Sequence, residues 1–402
     1  MNTNFNKFKE NKGDNTIIDF NNQPVSNRFL KTSSAKAPHF SLKLSWNKNI
    51  GCPEILKPWP VEKLKPKYDW ITCFEPEEHL DELCSIIQNL NKNKNITIGA
   101  YSFKDDSTLQ RLNKLGYKNQ WRIDPIKDLN IDDPLSNIVT FQSVFKKAIA
   151  NSISIKKGKA DILIVRHVIE QAYDINEFID SLKLLIKEDG LIVFELPDCK
   201  PAFKNGDCTT IWEEHIFYFF ESSFRRCLNI NQMEIVFWKN WKYHFENCIV
   251  AIVKNSNTQM TKHDVSECHE DYLVYINFMK IFNKRKINIE KKLKAFTVEK
   301  GPVCILGAGH LSIAFISLLG LKNLISFAID DNENKANFFL PTGSIPIKQT
   351  SFLNTNVAKL CLLGANPTHH MGIKKKLNQF QLDGGIIGSI FPSTDDYIEE
   401  II

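Results

Sequence analysis

Residues 161–198 read DILIVRHVIEQAYDINEFIDSLKLLIKEDGLIVFELPD. The apolar run 161–165 predicts a buried strand, and the segment 174–177 has the spacing of a capping box that begins a helix. In this prediction Gly190 ends the helix, and a second strand follows over 191–196. A strand, a helix and a strand in this order indicate a parallel sheet with helices packed against it.

The same alternation continues upstream. The sequence predicts a strand over 95–100, a helix from Asp105 or Asp106 to Gly116, and another strand over 118–123. These elements extend the same sheet.

Downstream, a polar segment over 254–270 and a long helix over 271–296 precede a second α/β unit. That unit begins with a strand and a glycine turn over 303–309, and its next strand is predicted over 325–330. We therefore expect an α/β fold. It should contain a doubly wound, mostly parallel sheet, a C-terminal Rossmann-like domain, and a small irregular domain before both.

Composition limits the classes of function. The 402 residues suggest two or three domains. The net charge is +5, and basic and acidic residues are mixed along the chain, so we expect no nucleic-acid partner. The 10 cysteines form no Cys-x-x-Cys pair, which argues against a disulfide framework and a zinc ribbon. Residues 1 to about 15 are polar, and no apolar run approaches a membrane span. We expect a cytoplasmic protein, and the sequence indicates no oligomeric state.

Glu214 and His215 lie side by side in the aromatic stretch WEEHIFYFF, residues 212–220. A poorly hydrated pocket shifts the pKa of both groups, and such a pair suits removal of a proton from a weakly acidic carbon or hydroxyl. The alternative is an aromatic core segment that happens to hold one histidine. His167, just after the strand at 161–165, has two interpretations: a hydrogen-bond donor at the site, or a strand-end histidine satisfied by backbone.

The second α/β unit contains the turn Gly307-Ala308-Gly309-His310-Leu311-Ser312, and Asp330 follows about 20 residues later. This is the layout of a dinucleotide-binding fingerprint with serine in place of the third glycine. An NAD-dependent oxidoreductase is therefore one candidate function. Alternatively, the turn only packs a helix on a strand and binds no cofactor.

Several motifs occur in the order and spacing of one known family. The chain resembles the bacterial sugar C-methyltransferases that act on nucleotide-linked keto sugars, over about residues 16 to 390. The segments that carry the resemblance are Ile17–Leu30, Arg166–Glu170, Phe194–Asp198, Glu214-His215 with Tyr218-Phe219, Asp330–Lys335 and Leu340–Ile347.

The resemblance implies a class I methyltransferase domain with S-adenosylmethionine as cofactor and a nucleotide sugar as substrate. It implies methylation of a carbon next to a ketone through an enolate, in the making of a surface glycan or a glycosylated metabolite. The implied domains are a small N-terminal domain at 1–70, a methyltransferase domain at 71–254, a linker and long helix at 255–300, and a Rossmann-like domain at 301–402.

The resemblance also suggests roles for individual residues. The catalytic candidates are His215 as base, Glu214 as its electrostatic partner, and His167 and Tyr218 as donors to the enolate oxygen. The cofactor candidates are Gly99, Asp106 and Asp124. An acidic residue that ends the second strand, as Asp124 does, can accept hydrogen bonds from ribose hydroxyls.

Three departures from the family pattern bear on these roles. The family's N-terminal domain holds zinc through two cysteine pairs, and only Cys52 remains near the second, so we expect no metal. The turn at 99–107 keeps one glycine, with Ser107 where another is usual, and Gln171 replaces a histidine. A degenerate member that binds a sugar nucleotide or a partner without turnover is therefore an alternative.

The missing cysteine pairs generate a first prediction. The purified protein should hold no stoichiometric zinc, because one thiolate cannot hold a four-coordinate structural site. Elemental analysis of the protein is the measurement. A stoichiometric amount of zinc in every chain would contradict the prediction.

Overall fold

The computed structural model of the protein describes residues 16–71, 75–256, 265–355 and 357–402. The polar residues 1–15 and Cys73 lie outside the described residues. The predicted α/β fold class is confirmed, because the two larger sheets of the described residues consist wholly or mostly of parallel strands with helices between them.

A three-stranded antiparallel sheet begins the described chain, where the sequence predicted an irregular domain. Its elements are β1 (Ile18–Pro24), β2 (His39–Asn47), β3 (Cys52–Ile55) and the short helix α1 (Val61–Leu64). Cys52 is fully buried in β3. The sheet rests on aromatic side chains, since the ring of Trp46 lies 5.6 Å from that of Tyr275, whose hydroxyl donates to the carbonyl oxygen of Leu44 at 3.0 Å.

The central domain is a six-stranded sheet covered by helices. Its elements in chain order are α2 (Leu80–Leu90), β4 (Ile98–Ala100), α3 (Asp106–Lys114), β5 (Gln120–Arg122), α4 (Ile138–Val144), α5 (Lys147–Lys157), β6 (Ala160–Arg166), α6 (Ile175–Lys183), β7 (Ile186–Asp198), α7 (Lys200–Asn205), α8 (Glu221–Ile230), β8 (Met233–Trp241) and β9 (Asn247–Asn255).

The strand order β5-β4-β6-β7-β9-β8 indicates where this sheet would bind a ligand, at the carboxyl ends of β4 and its neighbours, here called the ligand edge. Strands β5, β4, β6 and β7 are parallel, and β9 runs antiparallel between β7 and β8. The chain passes outward from β4 to β5 and then crosses to β6, so the strand order reverses between β4 and β6. Open α/β sheets bind ligands at the carboxyl ends of the strands at such a switch point.

The prediction that Gly190 ends a helix is wrong. Helix α6 ends before it, and β7 already begins at the buried Ile186. Pairing between β6 and β7 jumps from Ala160 opposite Ile186 to Ile162 opposite Leu191, so Gly190 lies in a bulge within the strand. The polar residues of this bulge gave the local sequence the pattern of a helix end, while pairing with a distant strand decides the outcome.

One helix of 35 residues, α9 (Val265–Glu299), joins the central domain to the C-terminal one. The predicted helix start at 271 is therefore too late. Two aromatic contacts fix the position of α9: Phe278 lies 4.6 Å from Phe203 of α7, and Phe282 lies 5.2 Å from Phe20 of β1, measured between ring centroids. The helix thus packs against both the central domain and the N-terminal sheet.

The C-terminal domain is a five-stranded parallel sheet in the order β12-β11-β10-β13-β14. Its elements are β10 (Val303–Leu306), α10 (His310–Leu319), β11 (Phe327–Ile329), β12 (Ile347–Lys348), β13 (Leu360–Leu363), α11 (His370–Lys376), α12 (Asn378–Leu382), β14 (Ile386–Ser389) and α13 (Ile398–Ile401). Among the residues that the structure describes, no helix is long and apolar enough to cross a membrane.

Glycines permit the close approach of helix α10 to this sheet. Gly307 has φ +101°, a left-handed backbone that side chains disfavour, so the turn after β10 requires it. A Cβ on Gly364 would lie 1.9 Å from the hydroxyl oxygen of Ser312. Gly364, directly after β13, therefore provides the space for close helix–strand packing that a third glycine in the turn would otherwise provide.

Candidate functional site

A buried carboxylate connects the carboxyl ends of β6 and β7. Glu195 is fully buried, and its two oxygens accept hydrogen bonds from the guanidinium of Arg166 at 2.6 and 2.8 Å. His167 Nε2 lies 3.0 Å from Oε1, and His79 Nε2 lies 3.2 Å from Oε2. Burial alone would raise the pKa of Glu195, but Arg166 and the two imidazoles hold it well below its usual value. The ionised carboxylate therefore fixes three side chains at the ligand edge.

Glu75 and Lys104 extend this network. Lys104 Nζ donates to Glu75 Oε1 at 2.6 Å and to the carbonyl oxygen of His167 at 3.1 Å, and His167 Nδ1 lies 3.4 Å from Glu75 Oε2. Burial alone would raise the pKa of Glu75, but His167 and Lys104 lower it to about 2. Burial alone would lower the pKa of His167, but Glu75 and Glu195 raise it. The two carboxylates thus favour the protonated form of His167.

His167 itself has a strained backbone. Its φ is +49°, which residues other than glycine rarely adopt, and its N–H donates to the carbonyl oxygen of Glu195 at 2.7 Å. The sequence predicted His167 as a donor to substrate. In this structure both ring nitrogens face carboxylates, those of Glu195 and Glu75.

The segment 212–220, which carries Glu214 and His215, is held between domains. The carbonyl oxygen of Ile216 accepts the N–H of Ile55 in β3 at 2.8 Å, and the N–H of Ile216 donates to the carbonyl oxygen of Glu170 at 2.8 Å. The N-terminal sheet and the chain after β6 therefore position this turn together.

Tyr218 closes the same turn from inside. The tyrosine is fully buried, its hydroxyl donates to the carbonyl oxygen of Trp212 at 3.0 Å, and it accepts the N–H of Trp212 at 3.1 Å. The hydroxyl hydrogen that the sequence assigned to an enolate oxygen is thus committed to the backbone. The geometry gives Tyr218 a positioning role.

His215 is a half-buried, neutral imidazole. Its ring centroid lies 5.1 Å from that of Trp212. Burial lowers the pKa of His215 to about 3, and the ammonium of Lys104 adds to this shift, while Glu75 opposes it. At neutral pH the ring therefore carries a lone pair that can accept a proton.

Glu214 has the opposite shift. Burial raises its pKa to about 8, and the neighbouring carboxylate of Glu213 adds to this, while Lys104 and Arg28 oppose it. At neutral pH Glu214 is therefore protonated and can donate a hydrogen bond. The sequence predicted an electrostatic partner for His215, but the carboxylate that raises the pKa of His215 is Glu75.

Glu170 adds a buried carboxyl group whose oxygens make no hydrogen bond to the described residues. Its side chain is 1% exposed, and neither carboxyl oxygen has a hydrogen-bond partner among the described residues. Burial raises the pKa of Glu170 to about 6, against the lowering effect of His167 and Lys104. An unpaired buried carboxyl group costs stability, which is typical of a functional site.

The turn after β4 satisfies its own backbone. Ser102 N–H donates to Asp105 Oδ2 at 2.7 Å, Lys104 N–H donates to the hydroxyl oxygen of Ser102 at 3.2 Å, and Asp105 N–H donates to the carbonyl oxygen of Ser102 at 3.1 Å. In a glycine-rich turn these N–H groups would be open to a ligand. Here these three N–H groups are already bonded within the turn.

The three predicted cofactor residues have different surroundings. Gly99 lies inside β4, where a Cβ would come within 2.6 Å of the Trp121 ring, so its absence serves packing. Asp106 pairs with Arg122. Asp124 follows β5, and its Oδ1 caps a turn by accepting backbone N–H groups at 2.8 and 3.0 Å. Its Oδ2 accepts no hydrogen bond from the described part of the chain, so this oxygen fits a ribose hydroxyl.

The C-terminal glycine turn is covered rather than open. Asp330 Oδ2 accepts the N–H of Ala308 at 2.9 Å and lies 2.8 Å from Lys335 Nζ, so the acidic residue of the fingerprint layout is already bonded. The ring of His310, at the start of α10, stacks on Trp212 with centroids 4.7 Å apart. This arrangement favours the architectural interpretation of the turn over NAD binding.

One group of ligand-type side chains among the described residues is close enough to share an ion. The ligand atoms of His79, Glu195 and Cys248 lie within 4.8 Å of one another. Both oxygens of Glu195 already bind Arg166, whose charge would repel a second cation at this point. The cluster is better explained by the buried ion pair.

The sequence missed Glu75, Lys104 and Glu170 as site residues. Glu170 lay within a quoted motif, next to Gln171, so the motif offered a signal for it. Lys104 lies in the turn at 99–107, where the sequence analysis looked for glycines, and Glu75 lies before α2; only the fold brings the two side chains to His167.

Known proteins resemble this chain in two ways. Residues 251–392 match the family model described as the C-methyltransferase C-terminal domain. C-methyltransferase NovU of Streptomyces niveus is 22% identical over 234 residues, which cover 56% of this chain and 56% of that relative. The chain therefore matches little more than half the length of this relative. Together the two matches confirm the resemblance to the C-methyltransferases.

Solved structures also show similarity to part of the chain. The ribosomal protein L11 methylase from Lactobacillus delbrueckii subsp. bulgaricus has 12% identity and a TM-score of 0.28, over 46% of this chain and 81% of that one. An S-adenosylmethionine-dependent methyltransferase from Clostridium acetobutylicum ATCC 824 has 11% identity and a TM-score of 0.30, over 46% and 94%. At TM-scores this low, the fold assignment rests on the strand order given above.

The Glu195 network generates a stability prediction. Glu195→Gln should lower the free energy of unfolding by about 3–5 kcal/mol, because it leaves the guanidinium of Arg166 buried without a counter-charge. Urea denaturation of parent and variant measures the difference. Lys187→Gln, which removes a partly exposed pair with Asp161, is the control and should change stability by less than about 1 kcal/mol. A loss this small at Glu195 would contradict the central role of its carboxylate.

Proposed function

We propose that this chain, which is related to the C-methyltransferases, is an S-adenosylmethionine-dependent C-methyltransferase that acts on a nucleotide-linked keto sugar. The observation that carries the proposal is the position of Glu214 and His215, in a turn that a hydrogen bond to the backbone of Glu170 ties to the ligand edge, together with their opposite pKa shifts. A neutral base next to a neutral acid suits removal of a proton from carbon beside a ketone. The product would enter a surface glycan or a glycosylated metabolite.

The residues at the ligand edge fit the cofactor in part. The free Oδ2 of Asp124 suits a ribose hydroxyl, and the self-bonded turn at 102–105 leaves side chains to hold the amino-acid end. S-adenosylmethionine would supply a methyl group on a positively charged sulfur. The sheet edge and the turn at 212–220 face a common region, since Lys104 influences the pKa of both His215 and Glu214.

The chain's own residues then divide the work. The neutral imidazole of His215 removes the proton next to the ketone, and the protonated carboxyl group of Glu214 donates a hydrogen bond inside the same pocket. The carboxylate of Glu75 stabilises the imidazolium that forms on His215. Tyr218 and Trp212 hold the turn in place through backbone and ring contacts.

A non-catalytic family member is the second candidate. Three backbone N–H groups of the turn at 102–105 are already bonded within the turn. Gln171 stands where the family has a histidine. Such a protein would bind a sugar nucleotide or a partner without turnover. Absence of S-adenosylmethionine binding would decide for this candidate.

Cofactor binding tests the proposal directly. S-adenosylmethionine should bind, and Asp124→Ala should weaken binding about tenfold or more, since a hydrogen bond to a charged group is worth roughly 1.5–3 kcal/mol. Isothermal titration calorimetry on both proteins is the measurement. Asp180→Ala, on the surface of α6, is the matched control and should bind as the parent does. Equal affinity in all three proteins would move the cofactor away from Asp124.

The pH dependence of methyl transfer tests the two adjacent groups. Glu214 has a raised pKa of about 8, so its protonated form persists below that pH and is lost as the pH rises through it. The rate should fall over that range, and Glu214→Gln, which stays neutral, should abolish the fall. A parent profile that is flat to well above the pKa of Glu214 would show that its proton is not needed.

The imidazole of His215 has its own test. His215→Ala should reduce methyl transfer by roughly two to four orders of magnitude, the usual effect of a positioned base. The melting temperature and the S-adenosylmethionine affinity should stay near those of the parent. A variant that melts much earlier but transfers methyl groups normally would identify His215 as a core histidine.

A further inference from the structure

The proposed reaction places negative charge on the ketone oxygen, and that oxygen needs a donor. The two donors predicted from the sequence are both committed elsewhere. Tyr218 donates its hydroxyl hydrogen to the carbonyl oxygen of Trp212, and the ring nitrogens of His167 face Glu195 and Glu75. The remaining donor, the neutral carboxyl group of Glu214, carries no charge, so a cation at this edge would stabilise the developing charge better.

Lys104 is placed for this task. It lies in the turn after β4, at the switch point of the sheet, and its side chain is only 9% exposed. Its backbone carbonyl oxygen accepts a hydrogen bond from Arg166 Nη1 at 2.7 Å, which ties the turn to the Glu195 network. Its ammonium group bonds Glu75 and the carbonyl oxygen of His167. The ammonium group is thus held at the ligand edge with little exposure to solvent.

Acidic groups surround this ammonium. The charge of Lys104 lowers the pKa of three carboxyl groups and of the imidazole of His215. The carboxyl groups are those of Glu75, Glu170 and Glu214. The carboxylates of Glu75 and Glu170 would repel an enolate formed beside them if no cation were near. A cation in this low-dielectric setting stabilises such a charge far more than it would in water.

We propose that Lys104 is a catalytic residue whose ammonium group binds the substrate oxygen that becomes the enolate. The assignment rests on the proposed function. His215 takes the proton from the carbon, the C–H electron pair forms a carbon–carbon double bond, and the carbonyl electrons move to the oxygen held by Lys104. As the carbon takes up the methyl group, the sulfonium donor leaves as a neutral thioether, and the ketone re-forms. The imidazolium of His215 finally releases its proton to solvent.

The hydrogen bonds that Lys104 makes in this structure leave it able to bind the enolate oxygen. The ionised carboxylate of Glu75 accepts one hydrogen bond from the ammonium group at 2.6 Å, while the carbonyl oxygen of His167 is neutral and more distant, at 3.1 Å. An anionic oxygen competes well against a neutral carbonyl for an ammonium hydrogen. Once the oxyanion forms, its charge offsets that of Lys104, so the imidazolium on His215 is less disfavoured than in the free protein.

Hydrogen exchange isolates this step from methyl transfer. The probe is a dTDP-linked 4-keto-6-deoxyhexose in deuterated water, without methyl donor, and the measurement is deuterium uptake at the carbon next to the ketone. Lys104→Met should slow uptake by about 10²–10³-fold, in the range of losing one oxyanion donor, and Lys104→Arg should retain part of the rate. Lys114→Met, on the exposed end of α3, should exchange like the parent.

Two further measurements separate the outcomes. Thermal melting of Lys104→Met should match the parent within a few degrees, and its S-adenosylmethionine affinity should be unchanged. A parent that exchanges while Lys104→Met exchanges equally fast overturns the role of Lys104 alone. Loss of S-adenosylmethionine binding in Lys104→Met with intact exchange assigns the lysine to the cofactor and also overturns it. A parent that neither exchanges deuterium nor transfers methyl groups overturns the proposed function itself, and the role of Lys104 with it.

Discussion

The carboxylate of Glu195 is the constraint on which the ligand edge depends. It neutralises the buried Arg166, orients His167 and His79, and through Arg166 holds the turn that carries Lys104. Such a pair is costly to bury and contributes little net stability, but removing one partner is severe. Its value here is geometric, because it sets the position of several groups on different strands and turns with one charge.

The fold class followed from local patterns that the tertiary structure respects. Apolar runs bounded by caps and glycines marked β6, α6 and the start of the C-terminal domain. The failures came where distant pairing overrides local sequence. Gly190 lies in a bulge because β6 pairs with both flanks of β7.

The candidate site was predictable only where chemistry was concentrated in a motif. Glu214 and His215 adjoin in sequence, so their pairing was visible, but the direction of each side chain was not. The carboxylate that assists His215 is Glu75, distant by well over a hundred residues, and no periodicity could place it there. Tyr218 showed the converse, since its aromatic motif gave no sign that the hydroxyl closes a turn on Trp212.

The stacking of His310 on Trp212 has a consequence for how the protein is made. Glu213, next to Glu214, accepts hydrogen bonds from Ser26 near one end of the described chain, and His310 covers the same turn from the last domain. A nascent chain that has left the ribosome as far as β9 holds all the titratable groups of the turn but lacks this cover. Contacts from both ends of the described chain therefore meet at this turn, and its cover is complete only after α10 has been synthesised.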